Sequence, residues 1–310
     1  LSNLVLPYPE PSSASTSCLK FAFGAGALSP RLADNLLPDF LHRVHQPQGQ
    51  VLLEVDMEAV EFIPPYGLVV LCLMGRYART RCAQVRYRLP RSPHLRRYLG
   101  RMRFAEAVAG FAGLGGPPLG AAPHRGRPDS EALLELTRIE ERADVERVLG
   151  DIADRVEAIL AAELRYTAVE INRFKNVVAE LCHNILDHSQ NWGYVAAQRY
   201  QDPCTGAKYA VIGVGDLGIG IKKSLSQRYE VGEWTHGQAI LNALKKDCSR
   251  DPSRGLGLYL IEQVCRRYGG SLHVKSGDTR VYVRGRRHFE HHSAFFPGTL
   301  LSISLCQRQG

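Results

Sequence analysis

The apolar positions change period several times along the chain. "QVLLEVDM" (Gln50–Met57) is a continuous, partly β-branched apolar run and predicts a buried strand. "PPYGLVVLCLMGRYART" follows, with turn residues first and a mostly apolar helix after them. "AQVRYRL" (Ala83–Leu89) alternates and predicts a second strand. Beyond "PRSP", Leu95, Tyr98, Leu99 and Met102 recur at helical spacing. Strand–helix–strand–helix predicts a small α/β layer.

The second half has a different rhythm. Leu133, Leu136, Ile139, Val145, Val148, Ile152, Val156 and Ile159 recur at helical spacing, which predicts one or two amphipathic helices. Such helices pack on their own domain or form a homodimer interface. A helix over about 166–188 follows, with Phe174, Val177, Val178, Leu181 and Ile185 as its buried stripe. "AVIGVGDLGIGIKKSL" (Ala210–Leu225) reads as a strand running into a glycine-rich turn. "SRGLGLYLIEQVCRRYGGSLHV" places glycines just ahead of an apolar helix, and "PGTLLSISL" (Pro297–Leu305) opens an alternating strand with a Gly-Thr turn. Two compositional breaks divide the chain. The Pro/Ser-rich residues 1–17 read as a disordered tail, and "GLGGPPLGAAPHRGRPDS" (113–130) reads as a linker. They delimit domains at 18–112 and 131–310.

Composition narrows the class. At 310 residues, 45% hydrophobic and 23% charged, the chain fits a soluble two-domain protein. The longest apolar run, "GLVVLCLM", is too short to cross a bilayer, and the first residues lack the pattern of a secretory signal. A cytoplasmic protein without a membrane partner is expected. The eight cysteines form no CxxC pair, so no zinc site or disulfide framework is suggested. The net charge of +8 includes ten arginines and no acidic residue between Arg76 and Arg103. The run reads either as a surface for an acidic partner or nucleic acid or as a solvated helix face; the solvated face is preferred and a nucleic-acid partner is not expected, because no aromatic–basic interleaving accompanies the run.

Candidate chemistry gathers in "AELCHNILDHS" (Ala179–Ser189). Glu180, Asn184 and His188 are spaced i, i+4 and i+8, so they line one helix edge. A carboxylate there can take a proton from water or a hydroxyl. A carboxamide oxygen can ligate a hard cation such as Mg2+ without adding charge. An imidazole can donate to phosphate. Asp216 can accept from an exocyclic amine, while Gly218 and Gly220 let the backbone approach a flat ligand. Gly255, Leu256, Gly257 and Leu258 stand at a helix start, where backbone N–H groups suit phosphate. "HFEHH" (288–292) reads as a basic, solvated hairpin rather than a metal site.

In order, Glu-x3-Asn, Asp-x-Gly-x-Gly, Gly-Leu-Gly-Leu and Gly-Thr resemble the N, G1, G2 and G3 boxes of the GHKL ATP-binding superfamily. That group includes gyrase, heat-shock chaperones of the same fold, MutL, histidine kinases and anti-sigma serine kinases. The resemblance spans about 165–308 and implies a two-layer α/β sandwich. It implies ATP and Mg2+ as ligands, with Glu180 as the catalytic base and Asn184 as the magnesium ligand. His188 and Gly255–Leu258 would lie against the phosphates; Asp216, Gly218, Gly220 and Thr299 would form the adenine side. Ile185 and Leu217 depart mildly from the family pattern.

A second resemblance lies upstream. "VLLEVDMEAVEFIPPYGLVVLCLMGRYART" looks like the central strand–loop–helix of STAS domains, the fold of anti-sigma-factor antagonists. Those proteins commonly carry Asp-Ser-Ser-Gly in the loop, and the serine before the glycine accepts phosphate. Here Pro64, Pro65, Tyr66 and Gly67 stand there, which implies an interaction module that a serine kinase no longer phosphorylates. The two resemblances together imply a Mg-ATP-binding regulatory protein with a protein partner, of STAS type or related to sigma factors. It acts either as a protein Ser/Thr kinase or as an ATPase switch. The alternative is a nucleotide-sensing interaction module without chemistry. A sensor histidine kinase fits less well, because Ala162 stands where its histidine would be.

Overall fold

The computed structural model describes residues 17–45, 51–119, 132–151, 157–188, 192–246, 248 and 257–307. The first half runs β1 (Ser17–Ala22), β2 (Gly26–Ala27), α1 (Pro30–His45), β3 (Val51–Asp56), β4 (Val60–Phe62) and α2 (Pro65–Arg79). It continues with β5 (Gln84–Arg88), α3 (Pro93–Arg101), α4 (Phe104–Val108) and β6 (Gly113–Gly115). Strands β1, β3, β5 and β6 form one parallel sheet in that order, and β2 pairs with β4. The expected strand–helix–strand–helix order is therefore present. The first three residues of the expected linker, Gly113–Gly115, are instead an edge strand on Arg86–Arg88.

The second half runs β7 (Ala132–Ile139), α5 (Arg142–Asp151), α6 (Glu157–Ala162), α7 (Ala168–His188), β8 (Gly193–Gln201) and β9 (Lys208–Asp216). It ends with α8 (Gly220–Leu225), α9 (His236–Ala243), α10 (Gly257–Arg267), β10 (Ser271–Arg284) and β11 (Arg287–Cys306). An antiparallel sheet of order β10-β11-β9-β8-β7 holds it together. The segment expected as leading amphipathic helices thus opens with a strand. Leu133, Leu136 and Ile139 mimic helical spacing because the β7–β8 ladder shifts register at two places, which breaks strict alternation. Helices α5 and α6 then follow as expected.

Both faces of the antiparallel sheet are buried. Val195, Ala197, Ile212, Val214, Leu301 and Ile303 face α7 and α10 in one core. Tyr194, Ala196 and Leu300 point the other way and join the core of the first half. That second face is covered chiefly by α2, which explains its near-continuous hydrophobicity: every residue from Pro65 to Gly75 is buried. Its N-terminus crosses β9 at Gly213, where a Cβ would lie 2.4 Å from the Tyr66 nitrogen. The phenol of Tyr87 reaches α2 from the parallel sheet and donates to the Leu71 carbonyl at 2.5 Å.

The far face of the parallel sheet is polar. Lys20 and Arg88 lie 3.6 Å and 3.3 Å from Glu54 across neighbouring strands. The layers run from this wet sheet through α1 and α2 to the antiparallel sheet and its outer helices. Within the arginine-rich stretch, Arg76 lies over the Trp192 ring, Arg79 and Arg96 donate to backbone carbonyls, and Arg91 pairs with Glu58. No helix among the described residues is long and apolar enough to cross a membrane.

Candidate functional site

Helix α7 begins with reciprocal capping. The Thr167 N–H donates to Glu170 Oε2 at 2.7 Å, and the Glu170 N–H donates to Thr167 Oγ1 at 3.4 Å. Phe174, Val177, Val178, Leu181 and Ile185 are buried against the sheet, as their spacing predicts. Burial pushes the Cys182 thiol up to about 12, so it packs rather than reacts. Glu180 and Asn184 sit one turn apart on the neighbouring, half-buried edge. His188 ends the helix; its side chain lies outside the described residues.

The strand end opposite carries Asp216, which is 6% exposed. Its Oδ1 accepts from the Gly218 N–H at 2.6 Å. Burial raises its carboxyl from 3.8 to about 7, while N–H groups of Gly218 and Thr299 pull the other way. The chain can wrap this closely because Gly298, at φ +82°, has no side chain: a Cβ there would lie 2.0 Å from the Asp216 carbonyl oxygen. Gly220, at φ +74°, makes the next turn, and its missing Cβ leaves room for Ser276 Oγ.

Ser276 is a part of this cradle that sequence reasoning missed. Its hydroxyl donates to the Gly298 carbonyl at 3.1 Å and accepts from the Ile221 N–H at 2.9 Å. It therefore ties β10 to both glycine turns. Its only sequence signal is a serine followed by glycine inside an apolar strand, which is too common to single out.

Gly193 joins the helix to the strand end. It pairs with Asp216 across β8 and β9, and a Cβ on it would meet the Ile185 side chain at 3.0 Å and the Asp216 Cβ at 3.2 Å. Ile185, next to Asn184 on α7, thus packs across Gly193 from the strand end that carries Asp216. The model of a family described as "Histidine kinase-, DNA gyrase B-, and HSP90-like ATPase" matches residues 170–290. Residues 170–290 form a GHKL-type ATPase domain. No curated protein matches the chain.

In this ATPase domain Gly255 and Leu256 lie outside the described residues. Gly257 opens α10, and Leu258 packs on the core shared with α7. Residues Ser276–Gly298 extend the β10–β11 ladder into a long hairpin with register shifts at Gly277. Its "HFEHH" stretch is exposed, and His288 lies 3.4 Å from Glu262. Among the described residues there is no cluster of three or more His, Cys, Asp or Glu side chains suited to a metal.

Proposed function

We propose that the chain is a Mg-ATP-binding regulatory protein in which nucleotide binding or turnover controls the binding of a protein partner. The observation that carries this reading is the contact of the Asn184 turn, through Ile185 and Gly193, with the strand end at Asp216. Three oxygen-bearing side chains then serve three different tasks. Asp216 accepts from the adenine amine. Asn184 offers a neutral oxygen to Mg2+, which needs few protein ligands because phosphates and water complete its shell. Magnesium held there supplies charge neutralisation to the phosphates. Glu180, one turn away, takes the proton of the attacking hydroxyl. The acceptor O–P bond forms, the bond from the γ-phosphorus to ADP breaks, and the proton ends on Glu180.

The acceptor is a Ser or Thr of a separate STAS-type partner, or water if the protein is an ATPase switch. The chain's own STAS-like loop supports a separate partner. Tyr66 is wholly buried, and its hydroxyl donates to Asp34 Oδ1 at 2.7 Å. Incubating the protein with labelled Mg-ATP and STAS-type partners, and scoring phosphate release and protein labelling together, decides between the routes. ATP bound with neither product favours the nucleotide-sensing module. Failure to bind ATP overturns the reading.

The elevated Asp216 carboxyl adds a pH signature. Its folded pKa exceeds its ordinary value, so the folded state holds this proton more tightly than the unfolded chain does. The resulting stability is present at low pH and is lost as pH rises through the window from 3.8 to about 7. An adenine amine favours the ionised carboxylate. Nucleotide affinity is therefore expected to rise severalfold, approaching tenfold, between about pH 6 and pH 8. Calorimetric titrations of wild type and Asp216→Asn separate this from ionisation of ATP itself. Equal slopes for the two proteins would remove Asp216 from the adenine contact.

A further inference from the structure

A cleft of about 650 Å³ lies between α7, α10 and the turn of the β10–β11 hairpin. Neither Asp216 nor Thr299 lines it, so it is separate from the adenine cradle. Arg173 comes to it from α7, Arg266 and Arg267 from α10, and Arg286 from the hairpin turn. No carboxylate lines it among the described residues. Arg266 is partly compensated by the buried Glu262 at 3.8 Å, and Arg173 lies near the Tyr268 side chain. Arg267 and Arg286 make no ion pair among the described residues. Four guanidinium groups from three elements would repel one another less with an anion between them. Their planar forks match oxyanions such as carboxylates and phosphates.

The cleft also has an apolar component. Val177, Leu260 and Val264 line it between the arginines. Its position is informative too. Asn176 lines it one turn before Glu180 on the same helix edge, and Tyr259 lines it two residues after Gly257. The cleft therefore continues outward from the end of the site where Glu180 sits.

We infer that this cleft docks an acidic peptide segment of the protein partner, seating its hydroxyl acceptor beside Glu180. The inference rests on the kinase reading above. An acidic peptide fits better than a nucleic acid. Carboxylates meet the arginines and an aliphatic side chain meets the apolar lining, whereas single-stranded nucleic acids bind along successive stacking aromatics, and among the described residues Tyr259 is the one aromatic in the lining.

The test uses the full chain and fluorescence anisotropy with three probes: a short labelled peptide of Asp, Glu, Leu and one Ser, its Lys-for-acid counterpart, and an oligothymidine of matched charge. The acidic peptide is expected to bind, to weaken with salt, and to lose about tenfold or more in affinity in an Arg267→Glu/Arg286→Glu variant. Both residues are exposed, so the variant is expected to fold; its circular dichroism and ATP affinity, measured in parallel, are expected to match wild type. Peptide binding that is absent, or unaffected by the charge reversal, overturns the inference. So does an oligothymidine that binds as well as the peptide. Loss of ATP binding or turnover in the wild type would instead strike the kinase reading, because peptide docking is read without nucleotide.

Discussion

Asp34→Ala is expected to destabilise the protein by about 3–5 kcal/mol, the cost typical of removing one partner from a buried charged cluster. Asp34 sits on α1 and is 1% exposed. Its Oδ1 accepts from Tyr66 at the start of α2, at 2.7 Å. Its Oδ2 faces His273 Nε2 on β10 at 2.9 Å and Arg280 at 4.0 Å. It also opposes the burial that draws the Lys275 ammonium down to about 8. Alanine leaves a phenol and an imidazole without their shared partner, and removes the negative charge nearest Arg280 and Lys275. Asparagine keeps the shape and the Tyr66 bond, so Asp34→Asn is expected to cost less. Urea titration followed by circular dichroism measures both. A loss below about 1 kcal/mol for alanine is what an exposed pair shows, and it would mean that this cluster does not join the two halves.

Glu180→Gln is expected to lower ATP turnover, or phosphoryl transfer to a partner, by about 10²–10⁴. Glutamine keeps the size and hydrogen-bonding reach of the side chain but cannot take a proton at neutral pH. ATP affinity is expected to stay within about threefold, because the interaction lost belongs to the transition state rather than the ground state. Single-turnover rates with labelled ATP give the first quantity and calorimetry the second. Unchanged turnover removes Glu180 as the base. A loss of binding as large as the loss of rate reassigns it to holding the nucleotide.

Much of the ATPase half was legible because its signals are local. The α7 stripe, the Asp216 turn and the start of α10 each sit within one element and its flanking loop, and their order along the chain supplied the rest. What escaped depends on distant partners. Asp34 meets Tyr66 and His273 across 32 and 239 residues, and nothing around it announces either contact. Ser276 is similar, since its partners lie 55 and 22 residues away. Strand β7 carries a helix-like spacing because its register shifts spoil the alternation that marks a strand. The glycine pattern before Asp216 held a second message. Gly213 and Gly215 serve the approach of α2, where Pro65, Tyr66, Val69 and Leu73 would meet any added Cβ. A single sequence shows the glycines but not which surface needs them.

The sandwiching of α2 has a mechanical consequence. Packed layers stand about 10 Å apart, so the charged outer strands and the nucleotide-side helices are separated by roughly 30 Å. A partner gripping the Lys20–Glu54–Arg88 ladder cannot touch a nucleotide beside Asp216. News of the nucleotide would reach that surface as the tilt of a stiff strut wedged between two plates, with Tyr66 and Asp34 as its lower bearing.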